Sequence, residues 1–138
     1  AQPNCIPLLQ WLCDEGYQVS LETSGAMSVE KVDPRVSIVL DLKTPGSHEV
    51  DRNDLGNVSL ISRKDQVKFV ICNNQDYVWA KAKLLEWNLS ERAGEVLFSP
   101  SFEEQNPAEL AEWILEDHLP VRMQMQLHKL LWGEAAGR

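Results

Sequence analysis

Residues 36–42 of the chain read VSIVLDL, a run that is nearly all apolar. Such a run is typical of a strand in a parallel sheet that is covered on both faces. Two similar runs follow, QVKFVIC at residues 66–72 and EVLFS at residues 95–99, and a helical pattern separates them. This alternation of strands and helices predicts an α/β fold with a mostly parallel sheet.

The flanking segments extend the same alternation. Further strands are predicted at residues 17–21 and 121–127, and helices at residues 4–16, 75–88 and 106–118. Asn106 and Pro107 are typical of a helix start, while residues 43–65 are polar, contain Gly and Pro, and predict a long loop. The helix at residues 75–88 and the residue after it carry an apolar stripe, the part of an amphipathic helix that faces a core, made of Val78, Ala82, Leu85 and Leu89.

Length and composition limit the possible functions. The chain has 138 residues and a formal net charge of −8, from 13 Lys+Arg and 21 Asp+Glu. The length fits one domain, residues 1–138, and the negative charge argues against a broad nucleic-acid surface. No apolar run approaches the roughly 18 residues that a membrane span needs. Three cysteines, without the spacing of a disulfide framework, indicate a reducing, cytoplasmic setting.

Polar or small residues follow each predicted strand. Because parallel strands end on the same edge of a sheet, these residues are expected to form one rim where ligands bind. The segments concerned are Glu22–Gly25 (ETSG), Asp41–Pro45 (DLKTP), Cys72–Asn74 (CNN), Ser99–Ser101 (SPS) and Gln126–Lys129 (QLHK).

Some of these side chains have two interpretations. Lys68 alternates with apolar neighbours in its strand, so it either reaches solvent at a sheet edge or lines a pocket. Asp41 and Lys43 lie two apart on one strand face, and they form either an ion pair or the flanks of a polar ligand. His128 and Lys129 follow the last strand and are expected to hold an anion such as a carboxylate.

The cysteines predict no metal site. Cys5, Cys13 and Cys72 match no compact metal or iron–sulfur spacing. Cys5 and Cys13 fall on the apolar stripe of the first helix, which favours a packing role. No motif for nucleophilic catalysis, phosphate binding or paired carboxylates stands out, so the residues by themselves assign no catalytic group.

Five segments together resemble the 7-carboxy-7-deazaguanine synthase family of the radical S-adenosylmethionine superfamily. In chain order these segments are LETSG, LDLKTPGS, DQVKFVI, EVLFSPS and LPVRMQMQLHKLLW. The resemblance covers essentially the whole chain, and it implies a partial (β/α) barrel with the cofactor at the carboxyl ends of the strands. This implied cofactor position agrees with the rim predicted above.

Two motifs of that family are missing from this sequence. Family members hold a [4Fe–4S] cluster through closely spaced cysteines that end in C-x-x-C, and a Gly-Gly-Glu-Pro motif follows their second strand. Neither motif occurs here, and the chain opens on a helical pattern at Ala1. We therefore expect an N-terminally truncated radical S-adenosylmethionine domain that corresponds to the C-terminal portion of the enzyme. Alone, it is expected to be inactive and to associate through an unpaired strand edge.

The resemblance also implies a reaction. The cluster would cleave S-adenosylmethionine to a 5′-deoxyadenosyl radical, which converts 6-carboxy-5,6,7,8-tetrahydropterin to 7-carboxy-7-deazaguanine with loss of ammonia and help from Mg²⁺, in queuosine biosynthesis. Partners implied are a second copy in a homodimer and a reducing protein such as flavodoxin. Two alternatives stay open: another radical enzyme such as a glycyl-radical activase, and a non-catalytic α/β interaction module.

The resemblance assigns binding roles to two sets of residues. Those implied to contact S-adenosylmethionine are Glu22, Thr23, Ser24, Gly25, Asp41, Leu42, Lys43 and Ser99. Those implied to face the pterin are Gln126, His128 and Lys129. No residue of this chain is implied as a metal ligand.

Overall fold

A computed structural model describes residues 5–23, 30, 32–47 and 55–125. Its strands are β1 (Ser20–Thr23), β2 (Ser37–Leu42), β3 (Gln66–Ile71), β4 (Glu95–Pro100) and β5 (Arg122–Met123). Its helices are α1 (Cys5–Asp14), α2 (Leu55–Leu60), α3 (Asn74–Glu86), α4 (Leu89–Arg92) and α5 (Pro107–Asp117), with a 3-10 turn at Pro45–Ser47.

The five strands form one sheet in the order β1-β2-β3-β4-β5, and every neighbouring pair is parallel. Spatial order equals chain order, so right-handed crossovers carry the connecting helices to the same side. The sheet is open, since β1 and β5 are not paired with each other within the described residues. The predicted α/β class and partial-barrel arrangement are confirmed.

One face of the sheet packs against the helices and forms the core. Phe69 at the centre of β3 makes edge contacts with Trp79 of α3 and Phe98 of β4, at ring-centroid distances of 6.1 and 5.6 Å. Leu9 of α1 and Leu110 of α5 belong to the same buried cluster. We call this side the helix-covered face.

The alternate residues of each strand point to the opposite side, which we call the second face. In β2 the core residues Ile38, Leu40 and Leu42 are buried, whereas the residues between them are only half-buried. The interpretation of this run as fully covered on both faces is therefore too strong. The strand register places on the second face Glu22, Ser37, Val39, Asp41, Gln66, Lys68, Val70, Glu95, Leu97, Ser99 and Arg122.

Two element boundaries differ from the prediction. β1 begins at Ser20, three residues later than expected, and Tyr17 is 65% exposed because it precedes the sheet. β5 has only the two residues Arg122 and Met123, which pair with Leu97 and Phe98. Residues from 126 onward lie outside the described part of the chain.

The predicted loop at residues 43–65 is also wrong in part. It contains the 3-10 turn at Pro45–Ser47 and helix α2 (Leu55–Leu60). Val58 and Ile61 belong to the buried core, and their burial stabilises a short helix that the mainly polar, Gly- and Pro-containing segment 43–65 does not predict. The intervening residues 48–54 lie outside the description.

The orientation of α3 corrects the predicted apolar stripe. Val78 and Leu85 are 56% and 70% exposed, while Tyr77 and Leu84 are buried. Tyr77 packs against Phe98 and Trp113, so the aromatic contact and not the aliphatic stripe sets the rotation of the helix. Of the predicted stripe only Leu89 is buried, and it belongs to the separate helix α4.

The helix starts are confirmed. The Asn73 side chain accepts a hydrogen bond from the Asp76 amide at 2.9 Å, and the Asn106 side chain accepts one from the Glu109 amide at 3.1 Å. Pro107 occupies the first turn of α5, where its missing N–H is harmless. Across the residues described, no helix is long and apolar enough to cross a membrane.

Candidate functional site

The carboxyl ends of β2, β3 and β4 meet at one edge of the sheet, around a cavity of about 340 Å³. The turn after β2 supplies one wall, and residues after β3 and β4 supply the other. The lining comprises Asp41, Leu42, Lys43, Thr44, Gly46, Ser47, Val70, Cys72, Ser101 and Glu104. The sequence motifs LDLKTPGS and EVLFSPS thus meet here, although 47 residues separate Ser47 from Glu95.

Charged side chains of both signs lie on the adjoining second face. Lys68 belongs to the central strand, so it does not reach solvent at a sheet edge, and its side chain is only 13% exposed. Its Nζ lies 3.9 Å from Oε1 of Glu22, and its register partner on β2 is Asp41. The Lys43 Nζ lies 3.8 Å from Oδ2 of Asp41. The predicted Asp41–Lys43 pair is therefore present, and it belongs to a larger charged group.

Two buried polar atoms of this face, Oδ1 of Asp41 and Oγ of Ser99, have no hydrogen-bond partner among the described residues. Burial raises the pKa of the Asp41 carboxyl, and Glu22 adds to the effect, while Lys43 and Lys68 oppose it. Ser99 is completely inaccessible. Buried polar atoms are nearly always hydrogen-bonded in native proteins, so the Asp41 carboxylate, which lines the cavity, is suited to contact a ligand with donor groups. Ser99 lies beneath the cavity-lining residues and is not itself among them.

Two other predicted site residues point toward the helix-covered face. The Leu42 side chain is 1% exposed within the core, and Thr23 is 4% exposed. A ligand at the rim can therefore contact Leu42 mainly through the backbone atoms of this residue. The remaining predicted site residues lie outside the described part of the chain, namely Ser24, Gly25, Gln126, His128 and Lys129.

One site residue was missed by the sequence reasoning, Asp76. It is fully buried at the start of α3, and its carboxylate accepts hydrogen bonds from Thr44, Gly46 and Cys72. An Asp three positions after the N-cap Asn73 is an ordinary helix-start residue in sequence, because side-chain oxygens near a helix N-terminus are common. Nothing in the neighbouring sequence distinguishes Asp76 from such a residue, because its contact with Gly46 joins positions 30 residues apart.

The described residues do not supply the ligands of an iron–sulfur cluster. Cys13 is buried in the core, and burial raises the pKa of the half-buried Cys72 thiol to about 11, helped by the nearby Asp76 carboxylate. Within the described ranges, no group of three His, Cys, Asp or Glu side chains could hold a metal ion. The charged group around Lys68 suits instead an organic ligand with both cationic and anionic groups.

Fold and site together define a class, an open parallel α/β sheet of the partial-barrel type with a polar cavity at its carboxyl edge. No protein-family model matches the chain. Three curated relatives are 7-carboxy-7-deazaguanine synthases. The one from Chlorobaculum tepidum is 38% identical over 138 residues, covering 98% of this chain and 62% of the relative. Those from Koribacter versatilis and Clostridium acetobutylicum are 32% and 29% identical, covering 92% and 96% of this chain and again 62% of each relative.

The chain is thus related to 7-carboxy-7-deazaguanine synthases along nearly its whole length, which confirms the resemblance drawn from the five segments. It spans about 62% of the length of these relatives.

Proposed function

We propose that this chain forms part of a 7-carboxy-7-deazaguanine synthase that contracts the ring of 6-carboxy-5,6,7,8-tetrahydropterin with loss of ammonia. The observation that carries the proposal is the relation at 38% identity to a protein of that name. The polar cavity at the carboxyl ends of three strands supports it, because parallel α/β enzymes bind their ligands at this edge.

In this proposal S-adenosylmethionine and a [4Fe–4S] cluster supply the radical that starts the reaction, and Mg²⁺ assists; the described residues provide no cluster ligands. The chain's own residues bind and orient. Lys43 offers an ammonium to the carboxylate of S-adenosylmethionine, while Asp41 accepts a donor of the same ligand and Leu42 contacts it through its backbone. The resemblance adds Ser99 to this set. Residues Glu22 to Gly25 complete this set, and Gln126, His128 and Lys129 face the pterin.

The proposal also covers the substrate, the oligomeric state, the electron donor and the cellular compartment. The substrate is a small molecule, the working form is a homodimer, and a reducing protein such as flavodoxin delivers electrons in the cytoplasm. Each of the six matching relatives carries the same name, which favours this function over a glycyl-radical activase. It also favours an enzyme over a non-catalytic interaction module.

A chimera tests the function. This chain, joined to the portion of the Chlorobaculum tepidum synthase that lies outside the match, is expected to form 7-carboxy-7-deazaguanine after anaerobic reconstitution with iron and sulfide. The product is detected by mass spectrometry, and the intact Chlorobaculum tepidum enzyme is the positive control. A chimera that binds its cluster and cleaves S-adenosylmethionine, but forms no deazaguanine from the pterin, would favour another radical enzyme.

Replacing Lys43 in the reconstituted chimera tests its role in binding S-adenosylmethionine. Lys43→Ala is expected to weaken S-adenosylmethionine binding by roughly ten- to a hundredfold, because a charge-assisted hydrogen bond contributes about 1.5–3 kcal/mol. The free energy of unfolding should change by only about 0.5 kcal/mol, since the Asp41 pair is partly exposed. Lys83→Ala is the matched control, because its side chain is 27% exposed against 26% for Lys43 and also pairs with a carboxylate. Calorimetric titration that gives equal affinities for both variants contradicts the role.

A further inference from the structure

We infer that Asp76 is a positioning residue that fixes the turn after β2 and thereby sets Lys43 at the rim of the cavity. We call residues 43–47 the β2 turn. The inference deepens and rests on the proposed function, because the β2 turn carries Lys43, which is assigned there to ligand binding.

The Asp76 carboxylate joins the β2 turn to the end of β3. Its Oδ2 accepts from Oγ1 of Thr44 at 2.9 Å and from the Cys72 amide at 3.0 Å. Its Oδ1 accepts from the Gly46 amide at 2.7 Å. A single side chain therefore ties the segment after one strand to the segment after the next, at the edge where the cavity opens.

Burial makes this junction sensitive to change. Asp76 is 0% exposed and Thr44 is 1% exposed, so no bulk water can replace a lost hydrogen bond. The Asp76 amide also donates to the Asn73 cap at 2.9 Å, which holds the carboxylate to the first turn of α3. Hydrogen bonds to a buried charge are stronger than those between neutral groups, so the three contacts dominate the local geometry.

The β2 turn is built to fit this carboxylate. A Cβ atom on Gly46 would lie 2.5 Å from Oδ2 of Asp76, closer than real Cβ contacts allow, so the approach requires glycine. The turn is also tied internally, because the Ser47 amide and hydroxyl both donate to the Thr44 carbonyl, at 3.0 and 2.7 Å. Held at Thr44 and Gly46, the turn is fixed as a unit, and Lys43 is its first residue.

The same sheet offers a matched control at its opposite edge. Asp65 is 1% exposed, and its carboxylate accepts from the Ile38 amide at 2.8 Å and the Ser62 amide at 2.9 Å. It therefore holds loops at the amino ends of the strands as Asp76 holds them at the carboxyl ends. Loss of either carboxylate should destabilise the fold, but only loss of Asp76 should move the β2 turn.

Amide hydrogen exchange on the whole chain tests the positioning step directly. In Asp76→Ala the Gly46 amide is expected to exchange at least about tenfold faster, measured relative to the core amide of Phe69, because it loses a charge-assisted bond. In Asp65→Asn that ratio should stay at the wild-type value. Asp76→Asn retains one carbonyl oxygen and should fall between. An unchanged ratio in Asp76→Ala overturns the inference.

A milder variant covers the possibility that Asp76→Ala does not fold. Thr44→Val keeps the shape of the side chain and removes its hydroxyl, which contacts Asp76 at 2.9 Å and, at a longer 3.3 Å, the Val70 carbonyl. It should raise the Gly46 exchange ratio in the same direction by a smaller factor. No change in a folded Thr44→Val protein, together with an unfolded Asp76→Ala protein, would assign Asp76 a purely structural role.

Titration of the reconstituted chimera with S-adenosylmethionine links the turn to the proposed function. Asp76→Asn is expected to bind at least about fivefold more weakly than wild type, and Asp65→Asn equally well, although both are less stable. Equal weakening in both variants contradicts a specific positioning role. Absence of binding in the reconstituted wild-type chimera would count against the proposed function alone, since the exchange experiment still decides whether Asp76 fixes the turn.

Discussion

Leu84→Ala is expected to lower the free energy of unfolding by about 2–5 kcal/mol, the usual range for emptying a buried leucine site. Leu84 is 1% exposed and belongs to the core cluster between α3 and the sheet. The helix cannot close the resulting cavity, because Tyr77 and Trp113 already fix its rotation through ring contact at 5.2 Å between centroids. Chemical denaturation followed by circular dichroism measures the loss.

The next residue provides the control for Leu84. Leu85 is 70% exposed on the same helix, so Leu85→Ala should change stability by about 0.5 kcal/mol or less. The two variants remove the same atoms from adjacent positions, and only burial differs. If Leu85→Ala proves the more damaging, the rotation of α3 given by the structure is wrong and the stripe predicted from sequence is right.

The α3 helix shows where a sequence pattern is insufficient. Val78, Ala82 and Leu85 form an aliphatic stripe, and Tyr77, Ala80 and Leu84 form a second one with the same spacing. Helical periodicity alone cannot choose between them. The choice is made by contacts distant in sequence, the edge-to-face contact of Tyr77 with Phe98 and the Asp76 contact with Thr44 and Gly46.

The strands were easier to predict because their signal is local. The apolar runs around Leu40, Phe69 and Phe98 each favour a strand over a helix by length and composition, and the helix predicted between the last two indicates that they pair in parallel. Between the first two runs a loop was predicted, and the structure places helix α2 there. Strand ends failed where burial is low. Tyr17 alternates like a strand residue but lies outside the sheet, since no neighbouring strand extends to pair with it in the described residues.

The candidate site was predicted only where a strand presents its residues directly. Strand ends and the alternation of side chains predict the positions of Asp41, Lys43 and Ser99. The structure brings all three to the same side of the sheet. The sequence leaves Lys68 with two interpretations, and its place in the central strand rules out the one at a sheet edge. Asp76 could not be found in this way, because its function is to join segments that only the folded sheet makes neighbours.

Asp65→Asn is expected to lower the free energy of unfolding by about 1–3 kcal/mol at neutral pH, the cost of leaving a buried backbone donor unpaired. The substitution replaces one carboxylate oxygen by an NH₂ group, which is a donor. This NH₂ group then faces the N–H of either Ile38 or Ser62, so two donors oppose each other. The backbone around Asp65 is tightly packed, since a Cβ atom on Gly94 would lie 2.3 Å from the Arg63 carbonyl oxygen. The loop therefore cannot shift to relieve the mismatch.

The effect of Asp65→Asn should also depend on pH. Burial alone would raise the pKa of Asp65, but the hydrogen bonds and charge of Lys64 and the amides of Ile38 and Ser62 outweigh it and hold the pKa below its ordinary value of 3.8. A carboxyl with a lowered pKa in the folded state stabilises the fold above its unfolded pKa, and this contribution is lost as the pH falls through the folded value. The difference between wild type and variant should therefore be constant near neutrality and shrink below pH 3.8. Denaturation at a series of pH values, with the exposed Glu104→Gln as control, measures this; a difference that persists unchanged in acid would mean that Asp65 contributes through packing and not through its charge.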